Sequence, residues 1–141
     1  TYWTDRIGPV AAIATINKLT RVKAYEKMIY AGKQIKTLWV ELGLKHGLDI
    51  HVSGIDPIAH FVFNHTNPLV LKTLFTQFML ERGILASTAF YASYAHQEPE
   101  VKLYRKACDE TFKIISDAIQ TGNPKNYLKG SVCHSGFERL T

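Results

Sequence analysis

Leu48, Ile50 and Val52 alternate with Asp49, His51 and Ser53, a period of two that marks a half-buried strand and excludes a helix at this point. Gly54 and Asp56-Pro57 supply turn chemistry directly afterwards, and Ile58 to Phe63 read as a second strand, so the chain makes a hairpin here. On both sides the apolar period changes to that of helices. Upstream, Gly8-Pro9 opens a helix with Pro in its first turn, and Val10, Ala11, Ala12, Ile13, Ala14 and Ile16 give it an apolar, Ala-rich surface that implies close packing. Tyr25, Met28, Ile35, Trp39 and Leu42 then form the buried stripe of a longer helix ending near Gly47, with Lys23, Lys27, Lys33 and Lys36 on its water-facing side.

Downstream, Asn67-Pro68 starts a helix whose stripe is Leu71, Leu74, Phe75, Phe78 and Met79, closed by Gly83. Ile84 to Ala86 and Phe90 to Ala95 read as short extended segments. Glu98-Pro99-Glu100 opens another helix with carboxylates at its positive end, and Val101, Tyr104, Cys108, Phe112, Ile115 and Ile119 supply its buried face up to Gly122. Asn123-Pro124 starts a short helix before a Gly/Ser-rich tail. Strands grouped between helices, with a hairpin at their centre, predict an α+β fold: a small, mostly antiparallel sheet covered by helices. At 141 residues the chain is one domain, divided into a helical lead-in (1–46), an α+β core (47–129) and a tail (130–141).

Composition narrows the function classes. The net charge of +5 arises from 17 Lys and Arg against 12 Asp and Glu, but the two signs are interleaved and form no basic block, which argues against nucleic acid as a partner. No apolar run reaches the roughly 20 residues of a membrane helix, and no signal pattern opens the chain. Cys108 and Cys133 read as free thiols of a reducing cytoplasm. His46, His51, His60, His65, His96 and His134 show no metal-ligand spacing. His60 reads as a hydrogen-bonded core or interface group and His96 as a cap-region residue. No Gly-x-Ser-x-Gly elbow and no phosphate loop occurs. The start lacks Met and enters an apolar helix at once, as expected of a piece of a longer protein.

Thr4-Asp5-Arg6-Ile7-Gly8-Pro9 sets a hydroxyl and a guanidinium just before a helix N-terminus, where backbone N–H groups attract anions. The pattern has two readings: Thr4 or Asp5 caps the helix, or a phosphate sits there with Thr4 and Arg6 as its donors.

Ser53-Gly54-Ile55-Asp56-Pro57 leading to His60-Phe61, Leu71-Lys72-Thr73-Leu74-Phe75 through Met79-Leu80-Glu81-Arg82-Gly83, and Phe90-Tyr91-Ala92-Ser93-Tyr94-Ala95-His96 together resemble the carboxy-terminal small domain of class III aminotransferases of the glutamate-1-semialdehyde aminomutase-like kind. The resemblance spans essentially the whole chain. It implies a fold type I enzyme using pyridoxal 5'-phosphate to move an amino group between an amine donor and a carbonyl acceptor. It also implies a large domain that carries the cofactor lysine outside these residues, and a homodimer. No catalytic residue is then expected in this chain.

Thr4 falls where the family keeps a threonine that reaches the cofactor phosphate of the neighbouring subunit, which favours the anion reading. At Tyr91 the chain departs from the aminomutase pattern, which keeps a glutamate in the stretch "F-E-A-G-F". Because that position faces the substrate entrance in the family, Tyr91 is the expected substrate-side residue, and an aminotransferase is favoured over an aminomutase. An alternative from another class is a stand-alone, non-catalytic interaction module that offers apolar faces to a partner.

Overall fold

In the computed structural model, which describes residues 4–136, the chain runs through α1 (Ile7–Arg21), α2 (Ala24–His46), β1 (Ile50–Ile55), β2 (Ile58–Phe63), α3 (Pro68–Glu81), β3 (Ala89–Tyr91) and α4 (Glu98–Gln120), then a 3-10 turn at Pro124–Tyr127. The strands form one antiparallel sheet in the order β1-β2-β3. This is the α+β arrangement that the periodicities predict. Ile55 pairs with Ile58, so Asp56-Pro57 is the two-residue turn of the hairpin. Gly54 enters that turn at φ +85°, and a Cβ there would lie 2.4 Å from the Ile58 carbonyl oxygen, so no other residue fits without moving the strand.

Along β2, Ala59, Phe61 and Phe63 are buried while Ile58, His60 and Val62 face the opposite way. α2, α3 and α4 all lie on the Phe61 side. The Phe61 ring is surrounded by those of Trp39 (4.8 Å between centroids), Phe75 (5.2 Å), Phe63 (5.3 Å) and Phe112 (5.7 Å), so one aromatic cluster joins α2, α3, α4 and the sheet. Edge and tilted geometries of this kind add to area burial because the positive ring edge meets the negative ring face. Trp39 satisfies its buried N–H by donating to the Tyr104 hydroxyl at 2.9 Å.

Two polar fastenings set how the helices sit. At the hairpin, Lys36 Nζ donates to the Gly54 carbonyl at 2.9 Å and pairs with the Asp56 carboxylate at 3.2 Å. The expectation that Lys36 faces water is therefore corrected: it is half-buried because the hairpin turn folds back over α2. Between α2 and α4, the Asp109 carboxylate takes Lys45 Nζ at 2.7 Å and also bonds His46 Nε2. Bonding to Lys45 first, and then to His46, holds the Asp109 carboxyl below its usual range. A carboxylate lowered by folding contributes stability above its unfolded pKa, and that contribution is lost as pH falls through the folded value. Because Asp109 is a third exposed, its share is about 1 kcal/mol. Asp109→Asn is expected to lower stability by that amount at neutral pH and by less below about pH 4; parallel urea titrations at the two pH values check it.

Several expectations from sequence are corrected. α1 buries no residue at all, so its Ala-rich surface finds no close packing within the described chain. Ala24 is fully buried whereas Tyr25 is exposed. Eleven residues make roughly three helical turns, so Ala24 lies beneath Ile35 and Tyr25 is turned away from that stripe. Ile84 to Ala86 forms no strand, and the expected segment Phe90 to Ala95 contracts to Ala89–Tyr91. Beyond Ala92, whose N–H still bonds the Pro57 carbonyl, His96 accepts the Ser93 N–H through Nδ1 and turns the chain into α4. His60 is hydrogen-bonded, to Ser53 Oγ at 2.9 Å, but it is exposed and not in the core.

The segment after α4 is stitched onto α3. Gln77 donates to the Tyr127 carbonyl at 2.9 Å and accepts the Lys129 N–H at 2.8 Å, and Thr73 Oγ1 accepts the Cys133 N–H at 3.0 Å. Both cysteines are free, and burial pushes the Cys108 thiol well up, which removes it as a nucleophile.

Candidate functional site

The first candidate is the start of α1. Asp5 Oδ1 accepts the Ile7 N–H at 3.1 Å one residue ahead of Arg6, the N-cap residue, which makes no side-chain cap bond of its own. Pro9 has no N–H, and the Val10 N–H bonds the Arg6 carbonyl, so among the described residues Gly8 carries the first-turn amide left for an external acceptor. Thr4 and Arg6 are both exposed beside it. Along the chain, a hydroxyl, a guanidinium and a free amide thus fall within five successive residues at the positive end of the helix, with the Asp5 carboxylate between them. From Ile7 to Ala14 α1 is apolar all round, and Ile7 at 75%, Val10 at 62%, Ile13 at 60% and, one turn on, Ile16 at 61% are exposed. A helix of this kind is normally enclosed by protein on every side.

The second candidate is the sheet face opposite the helices. Its side chains follow from the register: Ile55, Ile58 and Tyr91 form one row across the three strands, Ser53, His60 and Ala89 the next, and His51 and Val62 a third. Tyr91 is 69% exposed on the outer strand of that row. The apolar members of this face are uncovered, while its polar centre is the Ser53–His60 pair. β2 itself reads Ile-Ala-His-Phe-Val-Phe, with apolar residues on both sides, which is the pattern of a strand covered on both faces. That signal is local to β2 and stands apart from the alternation of β1, its partner in the hairpin.

The two candidates do not converge. Among the described residues α1 packs against α2, and β3 against β2 and α2, so no contact between elements joins α1 to the strand that carries Tyr91. The described residues hold no cluster of three or more His, Cys, Asp or Glu side chains arranged to bind a metal, and none of the helices is long and apolar enough to cross a membrane. A further feature that sequence reading missed is a cleft between α2 and the start of α4, bordered by Lys27, Lys33, Gln34, His96 and Arg105. Its residues are separated by some 60 positions, and no local pattern links them.

No family model and no curated protein matches this sequence. Among solved structures, the PLP internal aldimine form of the FumI protein of Sphingopyxis sp. MTA144 is similar, with a TM-score of 0.72 over 83% of this chain at 19% sequence identity. This chain spans 29% of the length of that protein. At such identity the likeness establishes fold alone: the three-stranded sheet and its helices have the α+β architecture of a portion of a PLP-containing protein.

Proposed function

We propose that this chain is the small domain of a longer pyridoxal-phosphate enzyme, a class III aminotransferase resembling glutamate-1-semialdehyde aminomutase, acting as a cytoplasmic homodimer on a small amino substrate. The observation that carries the reading is the fold likeness to part of a PLP-containing protein. The uncovered apolar surfaces of α1 and of the sheet support it, since a large domain and a second subunit would cover them. The residues at the start of α1 fit one edge of the cofactor, its phosphate: Thr4 Oγ1 and the Gly8 N–H can both donate to a phosphate oxygen, with Arg6 balancing Asp5.

When bound, pyridoxal phosphate supplies the electron sink for moving an amino group. The part of this chain is to hold and to shape. Thr4 would hold the phosphate by donating its hydroxyl to a phosphate oxygen, fixing that end of the cofactor. Tyr91, on the open sheet face, lines the substrate entrance and offers a phenol where the aminomutases carry a carboxylate, so it selects among amino donors without adding charge.

The test uses the full reading frame. The extended protein is expected to bind the cofactor stoichiometrically and to lose its visible absorbance on addition of an amino donor, while residues 1–141 alone bind none. A borohydride-trapped lysine adduct on the 141-residue chain, or an extended protein without affinity for the cofactor, overturns the proposal. In that extended protein Thr4→Ala is expected to weaken cofactor binding about tenfold, the loss of one charge-assisted hydrogen bond. Unchanged affinity removes the phosphate role. Tyr91→Phe is expected to leave stability within about 0.5 kcal/mol and to alter kcat/KM ratios between donors.

The same uncovered surfaces support a second reading, a non-catalytic module that binds a protein partner. An extended protein without cofactor would favour it.

A further inference from the structure

The cleft between α2 and α4 belongs to neither candidate above. It encloses about 690 Å³, within the range of small-molecule sites. Its lining carries four cations, Lys27, Lys33, Lys102 and Arg105, against one carboxylate, Glu98. Lys102 is engaged by Glu98 at 2.6 Å and Arg105 by Glu41 at 3.0 Å. Lys27 and Lys33 make no ion pair among the described residues, so two positive charges of the lining stand unbalanced. Gln34, whose amide donates to the Tyr30 hydroxyl at 3.4 Å, and Thr37 add neutral hydrogen-bonding groups along the α2 wall.

Beside the cleft lies a second cavity of about 200 Å³, lined by the apolar Ile35, Ile84, Phe90, Leu103 and Tyr104 and by one carboxylate, Glu100, which accepts the Gln97 N–H at 3.1 Å. His96 and Val101 line both cavities. The His96 ring is held in place by the Ser93 N–H bonded to Nδ1 at 2.9 Å, and it lies against Phe90 with centroids 4.9 Å apart. A cationic chamber and an apolar chamber therefore meet across one oriented ring. We propose that this double cavity binds an amphipathic anion, a small carboxylate with an aliphatic tail: the carboxylate lies with Lys27 and Lys33, and the tail passes His96 into the apolar chamber. The cations supply attraction for the head group, and burial of tail methylenes supplies affinity that a free inorganic anion lacks.

The site has a built-in reporter. Tyr104 lines the apolar chamber, and its hydroxyl accepts the Trp39 indole N–H at 2.9 Å, so a tail in that chamber perturbs the environment of Trp39. In a Trp3→Phe background Trp39 is the remaining tryptophan. Titration with octanoate is expected to give a saturable change in its emission. Each methylene removed from the acid weakens binding about fourfold, so butanoate binds more than a hundredfold more weakly. Octylamine, with one more tail carbon and the opposite charge, binds at least tenfold more weakly than octanoate. Lys27→Glu/Lys33→Glu weakens octanoate at least tenfold with an unchanged melting temperature, as both side chains are exposed. Equal binding of octanoate and octylamine, retained affinity in the double variant, or no saturable change in either Trp39 emission or amide resonances overturns the proposal.

Discussion

Phe61→Ala is expected to abolish the cooperative unfolding transition of this chain. Phe61 is 1% exposed and its ring meets those of Trp39, Phe63, Phe75 and Phe112, which come from three helices and a strand-mate. Removing a buried phenyl ring costs about 3–5 kcal/mol from lost transfer and the cavity left behind. Domains of this size hold only about 5–15 kcal/mol in total, and α1 contributes no buried residue to this one. Val62→Ala, one position along on the uncovered face, is the control and is expected to cost well under 1 kcal/mol. Circular dichroism during urea titration compares the two; equal midpoints would mean that the helices do not cover the Phe61 side of the sheet.

Gly32→Ala is the second large effect, and its sign is diagnostic. In an ordinary helix interior the change from Gly to Ala gains up to about 1 kcal/mol. Here a Cβ would stand 1.7 Å from the Asp56 carbonyl oxygen and 2.4 Å from its carbonyl carbon, atoms of backbone that no rotamer change can remove. The hairpin turn must lift from α2, and Lys36 then loses its bonds to Gly54 and Asp56. A destabilisation of about 3 kcal/mol is expected, read as a fall in melting temperature. At Gly43 the added Cβ meets the Ile50 side chain at 2.9 Å, which can turn aside, and the Leu48 carbonyl oxygen at 3.4 Å, an ordinary contact, so Gly43→Ala is expected to be much milder. A rise in melting temperature for Gly32→Ala would show that the turn does not rest on α2. Because Ile55, Ile58 and Tyr91 form a row beside that turn, the same substitution should also disturb the proposed substrate-side face.

The elements most legible in the sequence are those whose evidence is local. The Gly54–Pro57 turn, the α3 stripe from Leu71 to Met79 and the α4 stripe from Tyr104 to Ile115 each follow from a period and a stop signal within one segment. β3 was less legible because its length depends on where Phe61 and Pro57 offer partners: the Phe61 N–H bonds the Thr88 carbonyl, and the Ala92 N–H bonds the Pro57 carbonyl. Of the candidate site, Tyr91 could be placed on a strand but its face could not, since that depends on pairing with Ile58. The composition of α1 predicts close packing, yet composition tells only that a surface is apolar; what covers it is decided by other segments or other chains.

By itself, then, the sequence determined the long helices, the β1–β2 hairpin with its turn, and that one sheet lies against helices, because apolar period and turn chemistry act over a few residues. Only the tertiary structure decided that Gly32 makes room for the Asp56 carbonyl, that Lys36 ties down the hairpin, and that Lys27, Lys33 and His96 border one cavity. Those meetings join residues between 18 and 69 positions apart, as from Lys36 to Gly54 and from Lys27 to His96, and the path of the backbone through space brings them together.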